Sequence, residues 1–209
     1  MPSASTPDSS AHLTLRSRAP YNLLPGAMAV PTFDSIHAVR FDLPHGAVHA
    51  KGDPERCVVV PSAALDSLIR DSSPEAAELF GRAWGSAIGK RLASRLEDAE
   101  SATLDDFVTQ FAGEAAISGI GTVALERWGR ALVVVIGGSP LSDSTMESLV
   151  AAAVEAACGL RPVCAAVSRD GETSRIFAGT QVSVDRLRAY LGSGLSWADA
   201  IARLHQGAS

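Results

Sequence analysis

Apolar and polar positions along this chain keep no sustained rhythm before about residue 45 and take up regular ones after it. Residues 1–44 carry Pro2, Pro7, Pro20, Pro25, Pro31 and Pro44 and a Ser/Thr-rich beginning. That composition reads as a flexible leader, with one stretch, Ile36–Phe41, able to pair as a strand. Beyond it, Ala47–Ala50 and Arg56–Val60 read as short strands around the turn sequence Gly52-Asp53-Pro54. Ser62 is placed to cap a short helix over Ala63–Arg70. Ser73-Pro74 opens a long helix running to about Glu97, with serine at the cap and proline at the first helical position. A third helix starts at Thr103, has Asp105 and Asp106 in its first turn, and closes at Ser118-Gly119.

The period then shortens to that of strands. Ile120–Trp128 and Ala131–Ile136 flank Gly129-Arg130 and predict a hairpin. A helix over Ser144–Cys158 follows, stopped by Gly159 and Pro162. Val163–Ser168 and Thr173–Phe177 predict a second hairpin across Arg169-Asp170-Gly171-Glu172. Ser183 and Ser196 are placed to cap two final helices, Val184–Leu191 and Trp197–His205. The core order is helix, helix, hairpin, helix, hairpin, helix. This is an α+β domain over residues 45–209, with helices packed on an antiparallel sheet of two hairpins.

Composition narrows the class of function. Of the 209 residues, 46% are hydrophobic and 20% charged, enough apolar mass for one sizeable core. The net charge of -5 disfavours bulk attraction to nucleic acid or anionic lipid. No apolar run approaches the roughly 18–20 residues needed to cross a bilayer, and the first residues lack the basic and apolar regions of a secretory signal. Three cysteines give no paired disulfide framework and point to a reducing compartment. The expectation is a cytoplasmic protein.

The motif that stands out is structural. Gly81, Gly85 and Gly89 recur every fourth residue on one face of the long helix. Each costs about 1 kcal/mol relative to alanine, so three in register imply a compensating close approach. With Trp84 and Ile88 they form a packing face, open to a second helix of the same chain or to a dimer partner. Gly85–Lys90 is not a phosphate loop: only three residues separate its glycines, Arg91 follows the lysine, and the segment is mid-helix. Gly137-Gly138-Ser139 has no adjacent Lys or Arg and reads as a strand exit rather than an anion nest.

Catalytic groups do not converge. Cys158 and Cys164 are separated by five residues, which fits no zinc knuckle, and no metal site is expected. Small apolar packing is the default for such cysteines; the two are retained as candidates for a ligand or thiol site. A reactive thiol would need an adjacent base and a pKa below the unperturbed ~8.5. His45 and His49 bracket Gly46 beside Pro44, poor helix for a metal pair. Asp98/Glu100 and Asp105/Asp106 sit at helix ends, where they serve the dipole. No catalytic residue, cofactor or enzyme activity is predicted.

The succession Arg56-Cys-Val-Val-Val-Pro61, a short helix, then Phe80-Gly-Arg-Ala-Trp-Gly-Ser-Ala-Ile-Gly-Lys-Arg-Leu92, Gly119-Ile-Gly-Thr-Val-Ala-Leu-Glu126 and Val163-Cys-Ala-Ala-Val167 resembles the 4-vinyl-reductase-type domain. That domain shares its fold with the small subunits of the TRAPP vesicle-tethering complex. The resemblance spans about Ala47 to Leu204. It implies a bacterial ligand-sensing or protein-tethering module, homo-oligomeric with a dimer favoured, that binds a partner protein and holds a hydrophobic small molecule. Two alternatives stay open: a scaffold subunit of a higher assembly, and a thiol-based redox sensor.

Overall fold

The computed structural model describes residues 33–96, 103–129 and 131–206. The leader up to residue 32, Glu97, the Asp98/Glu100 pair and Arg130 lie outside the described residues. The chain is α+β, with two antiparallel sheets and six helices among the described residues.

The first sheet is small. Strands β1 (Val39–Asp42), β2 (Ala47–Ala50) and β3 (Arg56–Cys57) pair in that order. A single 3-10 turn at Leu43–His45 and Gly46 joins β1 to β2. β1 lies within the stretch assigned to the leader, so residues before 45 contribute a strand. β3 is shorter than the expected Arg56–Val60. Its register sets Cys57 opposite Val48 and Arg56 opposite His49, so Val59 and Val60 run past the start of β2 and find no strand opposite.

Helix α1 (Ser62–Arg70) begins at Ser62 itself, with Pro61 at the cap position and no side-chain cap. Helix α2 (Pro74–Arg95) starts as expected: the Ser73 hydroxyl accepts from the Ala76 amide at 3.2 Å, and Glu75 sits in the electropositive first turn. Helix α3 (Leu104–Ile117) opens on a reciprocal capping box between Thr103 and Asp106.

The main sheet has the order β4-β5-β7-β6. β4 (Thr122–Trp128) and β5 (Ala131–Gly137) form the first hairpin, and β6 (Val163–Asp170) and β7 (Thr173–Gly179) the second. An antiparallel β5–β7 pairing joins them. The second turn is tighter than expected, because Asp170 pairs with Thr173 and only Gly171 and Glu172 remain in the loop. Gly171 has φ 57°, the positive value that the first position of such a two-residue turn requires. Between the hairpins runs α4 (Asp143–Cys158), capped by Ser142 and ended by Gly159. Helices α5 (Gln181–Gly192) and α6 (Trp197–Gln206) complete the chain. Thr180, not Ser183, caps α5: its hydroxyl accepts from the Ser183 amide at 3.3 Å, starting the helix almost a turn earlier.

Strand alternation divides the core in two. Val133, Phe177 and Ala165 lie in register on one face and pack against Val184 and Leu187 of α5 and Ala200 and Ile201 of α6. Ile136, Ile176 and Cys164 join the other cluster, with Ile88 and Leu92 of α2, Phe111 of α3 and Met146, Leu149 and Val150 of α4. The sheet is therefore covered by helices on both faces.

Candidate functional site

The glycine face of α2 makes its close approach within this chain. A Cβ built on Gly81, Gly85 or Gly89 would fall inside contact distance of the carbonyl oxygens of Thr145, Leu149 and Ala153 respectively. Both series advance by four in the same direction, so α2 and α4 run parallel with one ridge of small residues set against the other's backbone. Trp84 and Ile88 belong to the same core. Ile88 is fully buried, and Trp84 stands edge-on to Phe80 with ring centroids 5.4 Å apart.

This clamp holds α4 so that its outer side forms the floor of a cleft of about 580 Å³. One wall is the N-terminal half of α2, with Glu75, Glu78 and Arg82. The other is α5, with Gln181 and Arg188, and the start of β6 closes the end at Pro162–Cys164. On α4 the small groups Ser148, Ala151 and Ala152 alternate with the carboxylates Glu147 and Glu155, and Val163 and Cys164 lie beside them. A volume of this size lies within the range of small-molecule sites, about 300–1,000 Å³. The cleft is therefore mixed in character, with a small apolar strip at Ala151, Ala152 and Val163 among charged and hydroxyl groups.

Most of the rim is already engaged. Arg82 pairs with Glu78. Glu147 accepts from the Ala166 amide at 2.7 Å and reaches Arg188 at 3.7 Å. The first of these contacts satisfies a backbone amide on the outermost strand of the sheet, next to the irregularity between Ala166 and Ser168. Hydrogen bonds from its own backbone and from Ser73 hold the Glu75 carboxyl below its ordinary range. Sequence reasoning singled out none of these residues except Cys164. They come together only because α2, α4 and α5 converge, and no spacing within one helix signals that.

The two candidate cysteines do not come together as a reactive pair. Cys164 is buried at the cleft's end, and burial, reinforced by the Glu147 charge, pushes its thiol up to about 12. Cys158 is exposed at the end of α4, and partial desolvation raises its thiol as well. Both shifts run opposite to those of a thiolate nucleophile. Among the described residues, no group of three or more His, Cys, Asp or Glu side chains could hold a metal ion. No helix among them is long and apolar enough to cross a membrane.

A second charged cluster lies where the small sheet meets the helices. Glu114 of α3 is fully buried, and Arg91 of α2 reaches it at 2.8 and 2.9 Å while also contacting Asp53 at 3.2 Å. Arg95 approaches the other Glu114 oxygen at 2.5 Å without hydrogen-bond geometry, and its guanidinium lies 5.0 Å from the Phe33 ring centroid. That ring packs onto Gly113, where no side chain intervenes. The sequence signal for this joint is a lone charge, Glu114, inside the otherwise apolar Phe111–Ile117.

No family model and no curated protein matches the sequence. A solved structure that it resembles is the phenol-responsive sensory domain of the transcription activator PoxR, determined with phenol. The two are 16% identical and superpose with a TM-score of 0.53 over 68% of this chain and 85% of that one. The likeness is one of fold.

Proposed function

We propose that this chain is a non-enzymatic sensory module that binds a hydrophobic small molecule and, as a dimer, passes its occupancy to a partner protein. The observation that carries this reading is the shared architecture with a sensory domain that responds to phenol, over most of that domain's length. The α4 cleft supports the reading with a place of suitable size: the apolar part of a ligand would rest on Ala151 and Val163, with its polar end toward Ser148, Gln181 and Arg188. Because α4 is clamped to α2 along the glycine ridge, a ligand pressing on its outer side would move both helices together. The resemblance to 4-vinyl-reductase-type and TRAPP small-subunit domains is part of the same proposal. A thiol-based redox role draws no support from two cysteines that burial keeps protonated.

Native mass spectrometry of the purified full chain, repeated after denaturation, tests the reading. The expected result is a dimer carrying excess mass that is lost on denaturation. A bare higher oligomer would favour a scaffold subunit instead, and a bare monomer would remove the support for both.

A further inference from the structure

Residues 33–60 are fastened to the helices differently from the rest of the chain. Their only buried apolar residues are Ala38, Ala47 and Ala50, and none of the three belongs to either apolar cluster. The element that follows is anchored: Ile69 of α1 is a member of the larger cluster. Between the two, residues 58–61 are exposed and belong to no helix or strand. Three methyl groups bury little surface, and apolar burial is the main term that ties an element to a core.

The contacts that reach the helices converge on one place. Asp53 lies 3.2 Å from Arg91 of α2. The adjacent Gly52 comes so near that a Cβ there would lie 3.2 Å from the Ser94 hydroxyl. The Phe33 ring packs on Gly113 of α3, and the Arg95 guanidinium lies 5.0 Å from its centroid. Arg91, Ser94 and Arg95 occupy the C-terminal end of α2, and Gly113 adjoins Glu114 in α3. This joint is polar and incompletely satisfied. Both terminal nitrogens of Arg95 and one Glu114 oxygen are buried without a hydrogen bond. Such groups are costly to hold away from water, and Phe33 stands over one of them. Docking of the segment therefore gains little from apolar burial and works against the hydration of Arg95.

We propose that residues 33–60 form a strap that releases from α2 and α3 as a unit while both apolar clusters stay folded. Residues 58–61 are its hinge, and the Asp53–Arg91 contact is its latch. Regions with few buried apolar contacts open at free energies below that of global unfolding. In the open state Arg91 keeps Glu114 as its partner and Arg95 regains water. No residue of the strap lines the α4 cleft, so the inference stands apart from the ligand reading.

Native-state hydrogen exchange of the full chain in rising urea, wild type against Asp53→Asn, tests it. Asparagine keeps the oxygen that accepts from the Glu55 amide at 2.9 Å and loses the charge facing Arg91. In the wild type, the Lys51 amide, which donates to Ala38, and the β1–β2 ladder should exchange through one shared opening. That opening should depend little on urea and precede exchange in β5 and β7, the central strands of the main sheet. In Asp53→Asn the strap amides should exchange at least about tenfold faster, with β5 and β7 unchanged. Strap amides that share the urea dependence of β5 and β7 would overturn the strap, since the segment would then open only with the core. Strap amides that differ from one another in rate and urea dependence would show fraying and overturn the unit. Equal strap exchange in the two proteins, or an acceleration shared by β5 and β7, would overturn the latch. The wild-type pattern decides the strap by itself if the variant misfolds.

Discussion

Replacing Gly85 with alanine adds one methyl group to a helix whose intrinsic propensity would gain about 1 kcal/mol from it. The structure predicts the opposite sign. The new Cβ would press into the Leu149 carbonyl, a backbone group of α4 that cannot rotate away, and Gly81 and Gly89 hold the same register on either side. Parting the helices enough to admit it should cost about 2–3 kcal/mol or more, read as a lower urea midpoint. Gly85→Leu should be worse. A Gly85→Ala protein more stable than the wild type would mean that α2 and α4 do not meet at this ridge. Cys164 makes the same point about residue context: its sequence neighbours are ordinary, and its thiol chemistry is set by burial under α4 and by Glu147.

Between elements, the buried charges join the small sheet to the helices. Glu114→Ala leaves Arg91 and Arg95 without their carboxylate in the interior, which should cost about 3–5 kcal/mol of stability in urea denaturation. Replacing Glu114 with leucine and both Arg91 and Arg95 with methionine together should recover much of that loss, since matched apolar groups then leave neither guanidinium unpaired. No recovery would show that the joint depends on the ions themselves. Local signals made most elements readable in advance. Ser73-Pro74, the Thr103/Asp106 box, Asp170-Gly171 and Gly159 each mark a boundary through a hydrogen bond or a backbone angle within a few residues. Errors arose where a distant partner decided. β3 stops at Cys57 because the chain beyond it soon runs past Ala47, where β2 begins, and α5 starts at Gln181, capped by Thr180 directly after β7 ends at Gly179. The cleft was the least legible feature, since its walls come from α2, α4, β6 and α5 and no single stretch carries its pattern.

At the scale of the molecule, two arrangements divide the work. The sheet, with helices on both faces, supplies the core, and the parallel α2–α4 pair presents a clamped floor to the cleft. The central claim is that a small hydrophobic molecule occupies the cleft on α4, and calorimetric titration of the full chain with phenol, toluene and octanoate tests it most directly when paired with Ser148→Trp. Ser148 lines the floor and lies only partly buried, so an indole there fills the cleft without entering the core. At least one of the probes should bind the wild type, and its affinity should fall at least about tenfold in Ser148→Trp, a loss of about 1.4 kcal/mol, with the melting temperature of the unliganded protein little changed. Binding undiminished in Ser148→Trp, or no binding of any of the three to the wild type, would contradict the account.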